Sequence, residues 1–274
     1  MRLFFVKSRK LFILEILATY LLFVACLVIF QRHFIYHTEW PAPDISLAPV
    51  GMQEIIVTTD DDLNLTGWLK YPRDDDKPVL IFFHGNAQTI EHRLGKVDAY
   101  INAGYGVMLP EYRGYGGNPG TPMEDGLYKD ARAYLNFIRN DPRLNQQKLI
   151  IYGESLGSGV AVQMATEFPP YRLVLEVPFS SALDVAQSRF FFIPFLSYLM
   201  HDHYDNTSKI KNVECPVLVG TAGNDFVVPN RFGQKLYNAV ESTKKLVHYE
   251  SAMHHNMYDY GFAKEVIAFS EEAP

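Results

Sequence analysis

Four short stretches hold the residues best suited to chemistry. Gly153-Glu154-Ser155-Leu156-Gly157 puts a serine between two glycines, after the apolar run Lys148–Tyr152 and ahead of a helix-length segment that stops before Pro169-Pro170. Gly-x-Ser-x-Gly is common by chance; the strand-turn-helix setting makes it a nucleophile elbow, whose glycines let strand and helix approach closely. His84-Gly85-Asn86-Ala87 ends the apolar run Val79–Phe83. A loop there supplies one backbone N–H of an oxyanion hole and the residue after the nucleophile supplies the other, which assigns Asn86 and Leu156. His84 reads as structural, its ring bonded within the loop. Gly223-Asn224-Asp225 follows the run Val217–Gly220 and offers an acid that can orient an imidazole. Asp184, Asp202 and Asp205 are its rivals, and helix capping is the plainer use of Asp225. Met253-His254-His255-Asn256 follows the last apolar run, and one of its histidines would be the general base.

These stretches need a frame. From Gly51 onward, short runs apolar on both faces alternate with helix-length segments near 89–103, 122–139, 157–168, 230–241 and 259–270. That alternation predicts a mainly parallel sheet covered by helices on both sides, with the site at the carboxyl ends of the strands. Glu54–Thr59 and Leu63–Tyr71, joined at Asp60-Asp61-Asp62, predict an antiparallel edge hairpin. The Asp run and Asp74–Asp76 are solvated turns lacking the further ligands of a calcium loop. His201, Asp202, His203 and Asp205 show no organised metal-ligand spacing, so no metal and no organic cofactor is expected.

The chain has 274 residues, 48% hydrophobic and 14% aromatic, enough for a sizeable core and unlike a disordered chain. A formal net charge of −6 and the lack of a basic stripe weigh against nucleic acid as a partner. Cys26 and Cys215 form no disulfide framework or metal pair.

Residues 1–35 differ from the rest. Arg2, Lys7, Arg9 and Lys10 precede a run from Leu11 to Phe30 whose only charge is Glu15. As a helix, this run covers about 30 Å, the thickness of a bilayer's hydrocarbon core. It continues past any small-residue cleavage site, so it reads as an uncleaved signal anchor. The positive-inside rule puts the amino terminus in the cytoplasm and the body on the other side. Pro41, Pro43 and Pro49 mark residues 36–50 as an extended spacer lifting the 51–274 domain off the membrane.

Taken together, His84-Gly85-Asn86-Ala87, Glu111-Tyr112-Arg113-Gly114-Tyr115-Gly116, Gly153-Glu154-Ser155-Leu156-Gly157, Leu175-Glu176-Val177-Pro178-Phe179, Asp225 with Val228-Pro229, and His255-Asn256 resemble the BEM46-like branch of the α/β-hydrolase superfamily, which includes membrane-anchored ABHD13-type serine hydrolases. The resemblance covers essentially all of 51–274. It implies a three-layer α/β-hydrolase fold and a Ser155–His255–Asp225 triad, since the family has a histidine followed by asparagine. Met257 stands where the family usually has an acid. The Tyr112–Gly116 stretch is a family hallmark without evident chemistry, read as loop packing with Arg113 bracing the site.

The activity expected is hydrolysis of small-molecule or lipid carboxylic esters or acyl thioesters through an acyl-enzyme. A non-catalytic scaffold on the same fold and a serine peptidase are the other readings. Residues 180–212 form a cap-like insertion containing Phe190-Phe191-Phe192-Ile193-Pro194-Phe195-Leu196. It either packs on the core or walls an acyl-chain pocket open toward the membrane.

Overall fold

The computed structural model describes residues 9–144 and 148–272. The run that begins at Leu11 lies in helix α1 (Arg9–Ile29), none of whose residues is buried and which is long and apolar enough to cross a bilayer; the short helix α2 (Gln31–Ile35) follows it. Arg2 and Lys7 lie outside the described residues.

One sheet organises the remainder. Strands β1 (Met52–Thr58), β2 (Asn64–Lys70), β3 (Val79–Phe83), β4 (Gly106–Pro110), β5 (Leu149–Glu154), β6 (Arg172–Glu176), β7 (Val217–Ala222) and β8 (Lys244–Tyr249) take the order β1-β2-β4-β3-β5-β6-β7-β8. Only β2 runs antiparallel to its neighbours; from β4 to β8 every pairing is parallel. Side-chain alternation divides the apolar strand residues between two cores. Ile81, Ile151, Leu173 and Val219 face one layer, while Leu80, Phe82, Ile150, Val174 and Leu218 face the other. The first layer is closed by α4 (Glu124–Asn140), α5 (Leu156–Glu167) and α9 (Asn230–Ala239), the second by α3 (Leu94–Asn102) and α10 (Phe262–Glu271). Fully buried strands of this kind explain why their sequences are apolar without a break.

Between β6 and β7 the insertion forms α6 (Ala182–Arg189), α7 (Leu196–Leu199) and α8 (Asn206–Lys209). Asp202 and Asp205 have plain structural duties there. Asp202 accepts from Tyr36 Oη (3.1 Å) and the Glu124 N–H (3.0 Å), and Asp205 caps α8 through the Ser208 N–H.

Residues 36–50 do not act as a spacer. Tyr36 is buried in the first core, Ile45 and Ala48 pack against the second, and Trp40 meets His92 edge-on at 4.9 Å. The prolines keep this segment extended, and the burial of Tyr36 with the partial burial of Ile45 and Ala48 lays it along the domain as a strap, while Leu47 and Val50 stay exposed.

Candidate active site

Three loops at the carboxyl ends of β5, β7 and β8 converge. At the first, Ser155 sits between strand and helix with φ 50° and ψ −114°, a strained conformation held by its N–H donating to Glu176 O at 2.9 Å. Gly157 is required by close approach: a Cβ there would lie 2.0 Å from the Phe83 carbonyl oxygen. In the second loop, Asp225 uses its two carboxylate oxygens differently. Oδ1 accepts the N–H groups of Val227 (2.8 Å) and Val228 (2.7 Å), fixing the loop, and Oδ2 lies 2.7 Å from His254 Nδ1. Asp225 caps no helix, since α9 begins at Asn230; its Oδ1 instead closes the loop ahead of that helix. His254 Nε2 then lies 3.0 Å from Ser155 Oγ, and all three side chains are buried.

The histidine in this chain of contacts is His254, not His255. His255 points outward and is exposed, its ring meeting that of His254 edge-on at 4.8 Å. Asn256 Oδ1 accepts the Met253 N–H at 2.7 Å and closes the loop into a tight turn. Neighbouring side chains on such a turn diverge, and it is residue 254 that faces the serine. The His-Asn pattern of the resembling family therefore points one position too far along. Partial desolvation of its ring and the neighbouring His254 hold the His255 imidazole below its ordinary pKa, although the residue is exposed.

The His84–Ala87 loop lies against Ser155, for a Cβ built on Gly85 would stand 3.6 Å from Ser155 Cβ. His84 is buried, with Nδ1 2.8 Å from Gly85 O and Nε2 2.9 Å from Glu111 Oε1. Asn86 is held from three sides: its carbonyl accepts from the His37 N–H and from Tyr115 Oη (2.9 Å each), and its Nδ2 donates to Ile35 O at 2.9 Å. Leu156 is the first residue of α5, where a backbone N–H precedes any carbonyl of its own helix and stays available to an anion.

The Tyr112–Gly116 stretch packs the loop, as expected, but Arg113 is not the residue that braces it. Tyr112 Oη donates to His84 O at 3.1 Å and Tyr115 supports Asn86, so the two tyrosines brace the loop. Arg113 does not. It is spent on Asp130 and Asp61, tying the β1–β2 turn to α4.

Arg93 fills the bracing position instead. Its Nε donates to Glu154 Oε2 (2.6 Å), its Nη2 to Ala87 O (3.0 Å) and its Nη1 to Gln88 Oε1 (2.9 Å). One guanidinium thus joins the elbow to the loop beside it. Lys96 extends this cluster, bonding Glu154 Oε1 (3.0 Å) and Glu176 Oε1 (2.8 Å), and Tyr152 Oη donates to Glu176 Oε2 (2.7 Å). Burial alone would raise the Glu154 pKa, but Arg93 and Lys96 outweigh it and hold that carboxyl below its ordinary range. Burial and the charge of Glu154 push Glu176 up despite Lys96. A lone Arg93 at the start of a helix carries no sequence signal for this role.

A buried Ser–His–Asp chain of this geometry can deliver a serine alkoxide to a carbonyl and return the proton to a leaving group. The family described as serine aminopeptidase, S33, matches residues 74–204. An uncharacterized protein of Mycobacterium tuberculosis is 35% identical over 219 residues, 79% of this chain and 78% of its own length. A lysophosphatidylserine lipase, ABHD12 of Danio rerio, is 31% identical over 198 residues, which cover 65% of this chain and 51% of that protein. Among solved structures, an esterase of Pyrococcus furiosus superposes with a TM-score of 0.68 at 18% identity, covering 85% of this chain and 97% of its own. Acetyl xylan esterase 1 of a Thermoanaerobacterium gives 0.64 at 20% identity, covering 87% and 96%.

Proposed function

Since the chain belongs to the α/β-hydrolase superfamily, we propose that it is a membrane-anchored serine hydrolase of carboxylic esters or acyl thioesters, with Ser155 as nucleophile, His254 as general base and Asp225 as the group that orients it. The observation that carries this reading is the unbroken contact from Ser155 Oγ to His254 Nε2 (3.0 Å) and from His254 Nδ1 to Asp225 Oδ2 (2.7 Å). A non-catalytic scaffold has no need of a strained serine facing a buried imidazole–carboxylate pair.

The chemistry follows. His254 takes the Ser155 proton as Oγ adds to the acyl carbonyl, and Asp225 stabilises the imidazolium that results. The N–H groups of Asn86 and Leu156 receive the oxyanion, each contributing about 3–4 kcal/mol to lowering the barrier. The tetrahedral intermediate collapses to an acyl-enzyme as His254 protonates the departing alcohol or thiol. Water, deprotonated by the same imidazole, then releases the acid and restores Ser155. Support for ester rather than peptide bonds comes from the names of the lipase and esterase relatives; the S33 family description is what favours the peptidase reading. Aminoacyl nitroanilides assayed beside nitrophenyl esters separate the two. The anchor reading rests on α1, and Arg9 and Lys10 before its apolar run favour a cytoplasmic amino terminus with the domain on the opposite side.

Labelling of the full-length protein by a fluorophosphonate tests the site. Label is expected on Ser155 and is lost in Ser155→Ala. His254→Ala lowers kcat/KM about 10⁴-fold or more, and His255→Ala changes it less than about tenfold. Undiminished label in Ser155→Ala, or the two histidine effects reversed, overturns the assignment.

A further inference from the structure

The cap contains an eleven-residue stretch, Phe190–Met200, with no charged side chain. It is far from being packed on the core throughout: Phe191, Phe195 and Tyr198 are 84%, 76% and 85% exposed. Contiguous bare aromatics of this kind mark a surface that something apolar covers.

What covers it is set by where α1 runs. The Phe23 ring stacks on Phe192 at 6.3 Å, and Tyr20 Oη donates to Phe192 O at 3.0 Å. Farther along, Gln31 Nε2 donates to Leu199 O (3.2 Å) while its Oε1 accepts the His201 N–H (2.8 Å). An apolar cavity of about 100 Å³ lies between them, lined by Val24 and Leu27 on one side and Ile193 and Leu196 on the other. Helix and cap therefore run side by side.

On the reading that α1 spans the hydrocarbon, Phe23 and Tyr20 lie about 9 and 14 Å inside its exit at Ile29, in a core about 30 Å thick. A residue that touches both must share that depth, and Phe192 does. We propose that the Phe190–Tyr198 segment is immersed in the acyl chains of the leaflet on the domain's side, and that the enzyme draws acyl-ester substrates from that leaflet rather than from water.

Several backbone groups of this segment already have partners within the protein. The N–H groups of Phe190, Ile193, Tyr198 and Met200 all donate to carbonyls within the cap. The Phe192 and Leu199 carbonyls are satisfied by Tyr20 and Gln31, so the pairing also quenches a hydroxyl that would be costly in an apolar helix. The immersed segment communicates with the site as well. Arg189, at its start, donates through Nη2 to the carbonyls of Val227 (2.6 Å) and Phe226 (3.3 Å), in the loop that carries Asp225.

The test uses full-length protein in phosphatidylcholine nanodiscs, with Cys26 and Cys215 replaced by alanine and a nitroxide attached at one introduced cysteine. Leu22→Cys reports α1, Phe191→Cys and Phe195→Cys report the cap, and Lys148→Cys gives an aqueous reference; retained fluorophosphonate labelling certifies the fold of each. Relaxation by oxygen and by a polar nickel chelate measures immersion. Positions 22, 191 and 195 are expected to favour oxygen and be at least tenfold less accessible to nickel than position 148. Nickel access at 191 and 195 while 22 stays shielded overturns the proposal and leaves the anchor standing. Nickel access at 22 removes the anchor, and the proposal falls with it. Shielding of 191 and 195 from both reagents means that protein covers them, which overturns it equally.

Discussion

The aspartate at position 225 illustrates how far single residues could be read. Its type and its place after a strand announced it, as the elbow announced Ser155, because both motifs are local in the chain. The choice between His254 and His255 was not local. It depends on a turn closed by the Asn256 side chain, and two adjacent histidines look alike until that turn is formed. Arg93 was invisible for a similar reason, since its partners Glu154, Ala87 and Gln88 meet it only in the folded chain. Its three bonds lead to a prediction. Arg93→Lys keeps a cation for Glu154 but cannot reach loop and elbow together, because an ammonium lacks the planar fork. We expect kcat to fall about tenfold or more with KM changed less than about threefold, and the thermal midpoint to stay within a few degrees. A loss confined to KM, or a collapse of the midpoint, would mean that Arg93 does not position the loop.

At the level of elements, the unbroken apolar runs Val79–Phe83, Lys148–Tyr152 and Val217–Gly220 mark β3, β5 and β7 within two residues, the Asp60–Asp62 turn marks the β1–β2 hairpin, and the helices between strands follow from their lengths. What periodicity could not reveal was the strap, because 36–50 has no repeating pattern and its ties are to residues far along the chain. Ties between element ends also govern behaviour in acid. Asp141, just past α4, accepts from Tyr71 Oη (2.7 Å) at the end of β2 and from the Arg143 N–H (2.8 Å). The Arg143 guanidinium also donates to this carboxylate through Nη2 (3.0 Å), and that side-chain bond holds the Asp141 pKa at about 2, below its ordinary 3.8. A carboxyl whose pKa is depressed by folding stabilises the fold above its unfolded value and loses that contribution as pH falls through the folded one. Urea midpoints should therefore drop as pH falls from about 4 to about 2. Asp141→Asn should be less stable at pH 7 and show a shallower acid slope. An unchanged slope would remove Asp141 from the explanation.

For the whole molecule, the carbonyl of Ile35 and the N–H of His37 both grip Asn86, so the residues that follow α1 hold the loop that lies beside Ser155. Anchor and domain were legible as separate parts in the sequence, but their joint was not. Two fragments without α1 probe it: one beginning at Gln31, the other at Thr38. With similar melting temperatures, the longer should keep its rate on a water-soluble ester, while the shorter loses about tenfold or more in kcat; equal rates would show the grip to be idle. Should the grip matter, a protease that clipped the polypeptide beyond His37 would not liberate a working enzyme. It would shed an intact but silenced body, and turnover would remain confined to the surface where the substrate resides.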